Sequence, residues 1–303
     1  MSAVLASNGF LGELENVYKS FGSKTAVEGL NLTVSAGELI ALLGPNGAGK
    51  TTTIAMMLGL QQPDAGSVRL FGQSPQHIEA RRGIGVMLQQ EALPAELRVG
   101  ELLESVTAYY PDPYTPEEVM QLTNTSALGK RAYGKLSGGQ KRLVQFALAI
   151  CGRPKLIFLD EPTTGLDIEA REMLWTTIRA LVARGTAVVL TTHYLEEAEA
   201  LADRVVMLVD GRAVACGTVQ EMRSVVTRKR VSCATSLDVE EIRVWPGVEE
   251  VQLDGAGRVH LTVNDSEDFV RRLLIADPHA RDVEIHRAGL NEAFRQLTRV
   301  TTQ

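Results

Sequence analysis

The sequence predicts an α/β fold built on a mostly parallel sheet, followed by a small α+β domain. Three observations predict it. The apolar run Leu39–Leu43 leads into the glycine-rich stretch "GPNGAGKTT", and a segment of helical spacing follows. Apolar runs of strand length then alternate with helical stretches as far as about Val226, which is the pattern of a parallel sheet with helical crossovers. Past that point the order becomes β-α-β-β-α-β, the ferredoxin-like succession. Residues 12–226 and 227–303 are therefore the two expected domains.

The elements read in order as follows. "GELENVYKSFG" alternates like a strand, and "GLNLTVSAGE" is a second strand closed by a turn. After the glycine loop, Lys50–Leu60 has the apolar spacing of a helix. "GSVRLFG" is a short strand, and "GIGVMLQ" is another that ends at Gln89. From about Leu97 to Ile150 the texture is helical, with proline breaks in "YYPDPYTPEE". "KLIFLDEP" is a continuous apolar strand with acids at its C-terminal end. Ile168–Ala183 is a helix whose Leu174, Ile178, Leu181 and Val182 share one face. "TAVVLTTH" is a strand, and "RVVMLVDGRAVACG" is a hairpin turning at Asp210-Gly211 in type I′ geometry. In the second domain, strands are expected at Val231–Thr235, Val248–Leu253, Arg258–Val263 and Asp282–His286. Helices are expected at Val239–Val244, Glu267–Ala276 and Leu290–Thr298. The basic run Arg228–Arg230 reads as a solvated linker.

Composition narrows the function. The chain has 303 residues, enough for one large domain or two smaller ones. A net charge of −6 argues against a general nucleic-acid binder. Cys151, Cys216 and Cys233 form no C-x-x-C pair or metal spacing and read as thiols of a reducing compartment. The N-terminus has no basic start followed by a long apolar core, so no signal peptide is expected. No apolar run is long enough to span a bilayer.

Gly44, Gly49, Lys50 and Thr51 satisfy G-x-x-x-x-G-K-[ST]. Glycines let successive N–H groups point inward at an anion. A helix starting at Lys50 adds its unpaired N–H groups and dipole, which favour phosphate. Lys50 would reach the β- and γ-phosphates, and the Thr51 hydroxyl would bind Mg²⁺. Further along, Asp160 and Glu161 stand together at a strand end, where alternation is expected to send their side chains opposite ways. Ser137 of "LSGGQ" reads as a helix N-cap, "TGLD" ends at Asp167, and His193 follows another strand.

With these motifs in this order, the chain resembles the nucleotide-binding subunits of ATP-binding cassette (ABC) transporters from about Leu14 to Val226. "GPNGAGKTT" is similar to the family's Walker A loop, "LIFLDEP" to its Walker B strand and "LSGGQ" to its signature. The resemblance implies a P-loop ABC ATPase domain, with an antiparallel N-terminal part and a helical subdomain beside the parallel sheet. It implies that ATP sits on Gly44, Pro45, Asn46, Gly47, Ala48, Gly49, Lys50, Thr51 and Thr52. Phe21 would stack on adenine, with Tyr18 as a nearby competitor. Thr51, Gln89 and Asp160 would hold Mg²⁺, while Glu161, His193 and Gln89 would act at the γ-phosphate and its attacking water. Ser137, Gly138, Gly139, Gln140 and Asp167 would serve the site of a second subunit, so two copies must close over two ATPs. The wording "DEPTTGLD … TTHYLEEAE" resembles ATPases of bacterial ABC-2 type exporters. That implies a peripheral ATPase at the cytoplasmic membrane face, driving a separate permease. An importer subunit and a soluble ABC ATPase acting on ribosomes or DNA are the alternatives.

Overall fold

A computed structural model describes residues 9–89, 92–224, 229–255 and 257–286. The chain divides into two compact units, Met1–Thr218 and Val219–Gln303. Val226, where the sequence puts the junction, lies outside the described residues, as does the expected helix Leu290–Thr298.

The first unit begins with β1 (Gly12–Phe21) and β2 (Lys24–Val34), an antiparallel pair. β3 (Leu39–Leu43), α1 (Lys50–Met57), β4 (Ala65–Leu70), α2 (Ile78–Arg82) and β5 (Ile84–Met87) follow. α3 (Val99–Thr107), α4 (Pro116–Leu122) and α5 (Gly138–Ile150) make up the helical stretch. β6 (Leu156–Asp160), α6 (Ile168–Ala183), β7 (Ala187–Thr192) and α7 (Leu195–Leu201) come next. The hairpin β8 (Arg204–Val209) and β9 (Arg212–Thr218) closes the unit. Asp210 and Gly211 have φ values of 47° and 82°, as a type I′ turn requires.

The strands form two sheets rather than one. The larger has the order β5-β6-β7-β3-β8-β9, parallel except for β9. β1 instead lies between β2 and β4 in a separate antiparallel sheet. Every residue of β3, β6 and β7 is buried, which is why their sequences run apolar without alternation. α1 stops at Met57, short of Leu60, because Gly59 takes a left-handed φ of 69° and the Leu60 N–H turns back to the Ala55 carbonyl. β5 likewise stops at Met87, leaving Gln89 on the loop beyond it.

One buried cation ties the helical stretch to the strand ends. Arg142 of α5 is 6% exposed. Its guanidinium donates to the carbonyls of Leu88 at 2.8 Å, Asp160 at 2.5 Å and Glu161 at 2.8 Å, and to the Gln145 side chain at 3.0 Å. The planar fork suits several acceptors at once.

The second unit holds α8 (Val219–Ser224), β10 (Lys229–Ala234), α9 (Val239–Arg243), β11 (Val248–Leu253), β12 (Val259–Val263), α10 (Ser266–Ala276) and β13 (Arg281–His286). From β10 onward this is β-α-β-β-α-β, in an antiparallel sheet of order β11-β12-β10-β13. Val231, Cys233, Val259, Leu261 and Val263 meet Ile242 of α9 and Phe269 and Leu273 of α10 in its core. Asp277, 4% exposed, closes α10 onto the loop after β10. It accepts from the Ser236 N–H at 2.8 Å, the Thr235 hydroxyl at 2.7 Å, the Ser236 hydroxyl at 3.0 Å and the His279 N–H at 3.0 Å. These donors, the Ser236 N–H foremost, hold its carboxyl well below the usual range.

Two predictions follow from these two ties. Arg142→Met removes a buried donor shared by three carbonyls and the Gln145 side chain, and destabilises the first unit by about 3 kcal/mol, measured by urea unfolding. Asp277→Ala lowers the melting temperature of the full chain's second unit at pH 7. A depressed carboxyl pKa contributes stability above the unfolded value of about 4 and loses it as pH falls through the folded value. The gap between wild type and variant should therefore close on acidification below about pH 4; a gap that stays constant would refute the assignment.

Candidate active site

β3 delivers its chain directly into the glycine loop. A Cβ on Gly44 would stand 2.3 Å from the Leu208 carbonyl oxygen, and one on Gly49 would stand 2.3 Å from that of Ala26. Gly49 also has φ 101° and caps α1 with no side chain of its own. Pro45, Asn46 and Gly47 form the exposed rim, and Gly44, Ala48 and Gly49 lie buried beneath it. Thr51 is exposed and Thr52 half-buried at the start of α1.

Lys50 is 7% exposed, beneath that rim. Its Nζ donates to the carbonyls of Gly44 at 2.6 Å and Pro45 at 3.0 Å. The curled loop turns these carbonyls toward the ammonium and covers it. Burial pulls its pKa down, against the upward pull of Glu161 and Asp160.

The paired acids separate by a different device from strand alternation. Asp160 is the last residue of β6 and pairs in register with Thr191 of β7. Its carboxylate accepts the Thr191 hydroxyl and faces the Thr51 hydroxyl at 3.5 Å. Glu161 has left the strand, with a left-handed φ of 49°. Its N–H donates to the Thr191 carbonyl and hydroxyl, both at 3.1 Å. The turn sends its carboxylate to a second cluster. There Gln89 Nε2 donates to Oε2 at 3.2 Å, the Thr164 hydroxyl donates to Oε2 at 3.3 Å, and His193 Nδ1 lies 3.1 Å from Oε1. Gln89, Glu161 and His193, far apart in sequence, thus meet at one point.

The remaining candidates stand apart from this cluster. Ser137 caps α5 by accepting the Gln140 N–H at 3.2 Å, and Gln140 Oε1 accepts the Ser137 N–H at 3.1 Å. This is a reciprocal capping box. Gly138 has open space where a Cβ would be, and a Cβ on Gly139 would stand 3.5 Å from the Gly165 carbonyl oxygen. Asp167 caps α6 through the Ala170 N–H at 2.8 Å. Phe21 ends β1 half exposed, with Lys19 Nζ 5.6 Å from its ring centroid. Tyr18 is less exposed, and its hydroxyl lies over Gly29 of β2.

Sequence motifs miss Thr191, Thr164 and Arg142, although all three touch Asp160 or Glu161. For Thr191 a signal existed: it precedes "TH" at the end of a strand, where a polar residue in an apolar run needs a partner.

The chain matches the ABC transporter family over residues 27–164. It is 38% identical over 301 residues to the Nod factor export ATP-binding protein I of Paraburkholderia xenovorans, spanning 94% of this chain and 96% of that one. The protein of the same name from Burkholderia lata is 43% identical over 212 residues, 68% of this chain and 70% of that one. The solved structure of an ATP binding subunit of an ABC transporter superposes with a TM-score of 0.66 at 28% identity, covering 71% of this chain and 92% of that chain. With the loop, the acids and this similarity in agreement, the chain belongs to the ABC transporter family, as an ATP-binding subunit that hydrolyses ATP.

Proposed function

We propose that this ATPase drives export through a separate membrane-spanning permease, and that its reaction runs at the cluster around Glu161. The observation that carries the catalytic reading is the convergence of Gln89 and His193 on Glu161, beside the Thr51–Asp160 pair. Export is supported by relatives named for export that align along nearly the whole chain. Among the described residues no helix is long and apolar enough to cross a membrane. A transporter subunit of this kind works docked to its permease, at the cytoplasmic membrane face.

In this reading the triphosphate of ATP lies on the Gly44–Gly49 loop, Lys50, Thr51 and Thr52. The Lys50 ammonium exchanges the Gly44 and Pro45 carbonyls for phosphate oxygens. Glu161 accepts a hydrogen bond from the attacking water and orients it in line with the γ-phosphorus. Gln89 and His193 fix that carboxylate and register whether the γ-phosphate is present. The Thr51 hydroxyl and Asp160 carboxylate are hard oxygen donors of the kind that suits Mg²⁺, and Gln89, bonded to the adjacent Glu161, would be the third ligand. That ion supplies charge neutralisation on the β- and γ-phosphate oxygens. Phe21, the more exposed of the two aromatics, stacks on adenine.

Among the described residues, Ser137, Gly138, Gly139, Gln140 and Asp167 make no hydrogen bond to this cluster in their own chain. We assign them to the ATP of a second copy, which the open space at Gly138 would let approach.

Glu161→Gln keeps the shape but removes the charge that polarises water. Turnover should fall at least about a hundredfold, with ATP affinity retained. Size-exclusion chromatography with ATP and Mg²⁺ should then reveal a dimer that wild type does not accumulate. Strong residual hydrolysis would move the catalytic role elsewhere. Lys50→Ala should lose ATP turnover and also about 1–2 kcal/mol of stability, because the loop carbonyls lose a buried donor. Wild-type turnover in this variant would refute the phosphate contact.

A further inference from the structure

One turn beyond His193, α7 carries an acid that the reading above does not use. Glu197 is 1% exposed. Its Oε1 accepts from Trp175 Nε1 of α6 at 3.2 Å. Its Oε2 is sealed from solvent and has no bond of normal geometry among the described residues, with the Thr192 and Thr163 side chains beside it. Burial holds the carboxyl above its ordinary range despite these neighbours and the charge of Arg171. A buried carboxyl is a cost to folding that its neighbours only partly offset.

The surroundings suggest what it does. Arg171 and Trp175 are one helical turn apart on α6, the helix capped by Asp167. Trp175 holds Glu197. The Arg171 guanidinium lies 5.6 Å from the centroid of the Tyr194 ring, and that ring lies 4.1 Å from the ring of His193. The Tyr194 N–H donates to the Thr192 hydroxyl at 2.9 Å, which fixes the turn between β7 and α7. His193 Nδ1 ends this chain of contacts 3.1 Å from Glu161. α6 therefore grips the segment that follows His193 at two points, Tyr194 and Glu197.

We propose that Glu197 is a positioning residue for ATP hydrolysis: buried between α6 and α7, it anchors the first turn of α7 and so holds the His193 ring against Glu161. The inference rests on the roles given above to His193 and Glu161. Its physical basis is that displacing a group near the reaction by about 1 Å can cost on the order of a hundredfold in rate. Arg171, through Tyr194, supports the same ring by a second contact.

The test is steady-state MgATP hydrolysis by the purified full chain, with nucleotide affinity measured separately. Glu197→Ala should lower kcat by about tenfold and leave ATP affinity within about twofold, since no loop residue is touched. Glu197→Gln keeps the shape and the acceptor for Trp175 and should restore kcat to within about twofold of wild type. Trp175→Phe removes the same bond from the other partner and should also lower kcat, which keeps the test decisive if Glu197→Ala folds poorly. In a His193→Ala background, Glu197→Ala should add no further loss, because the two act as one unit. Wild-type kcat in both Glu197→Ala and Trp175→Phe would overturn the proposal. So would failure of Glu197→Gln to restore the rate, or an additive loss on top of His193→Ala. If His193→Ala itself turns over like wild type, the role of His193 fails instead, whatever Glu197 does.

Discussion

The site depends on one backbone turn. Glu161 sits in the left-handed region with φ 49°, a conformation that costs a non-glycine residue roughly 1–2 kcal/mol. Every polar group of the residue helps to hold it there. Its N–H goes to Thr191, its carbonyl to Arg142, and its carboxylate to Gln89, Thr164 and His193. Relaxing the turn into extended backbone would carry the carboxylate away from these partners. The strain separates two adjacent acids into two tasks: Asp160 stays in the strand facing Thr51, and Glu161 swings to the His193 side.

The parallel sheet explains why residues so distant in sequence can surround that turn. β6, β7 and β3 are neighbours and run the same way. Their C-terminal ends therefore open on one edge, where ligands of open α/β sheets bind. β3 ends in the glycine loop, β6 in Asp160, and β7 just before His193. β5, next to β6, brings Gln89. Arg142 then fastens α5 to the ends of β5 and β6 together, so the helix that starts at the Ser137 cap is braced against the acids. Any movement of that helix is felt at the Asp160 and Glu161 carbonyls.

Much of this was legible in the sequence, for local reasons. The Asp210-Gly211 turn, the α6 span and the glycine loop each rest on residue types whose conformational needs are short-range. Val182 alone of the expected α6 face is only half-buried. The split into two sheets was less legible, because strand partners are chosen by tertiary packing and β1 carries no mark of preferring β4 over β3. The separation of the acids was anticipated but misattributed: period-2 alternation is the default at a strand end, and a positive φ at Glu161 is imposed by contacts from β7 and α5. The burial of Lys50 follows from the curl of the glycines, which turns the Gly44 and Pro45 carbonyls onto its ammonium. Glu197 looked like one more acid in "LEEAE"; nothing in periodicity says which of three glutamates is buried.

The charges around the loop carry the argument one step further. Lys50 lies near two carboxylates, those of Asp160 and Glu161. A triphosphate entering such a site meets the repulsion of both. Backbone N–H groups at the α1 start contribute only partial charges, equivalent to about half an elementary charge. A divalent cation arriving with the nucleotide would offset that repulsion, and the Thr51 and Asp160 oxygens are the hard donors it would find. The burial that lowers the pKa of Lys50 acts in the opposite sense to the pull of the acids. Adding phosphate nearby strengthens that pull, so binding itself secures the protonated ammonium. In the proposed reading, Thr191 and Arg142 hold the acids in place, and the nucleotide with its accompanying cation would complete the site's charges.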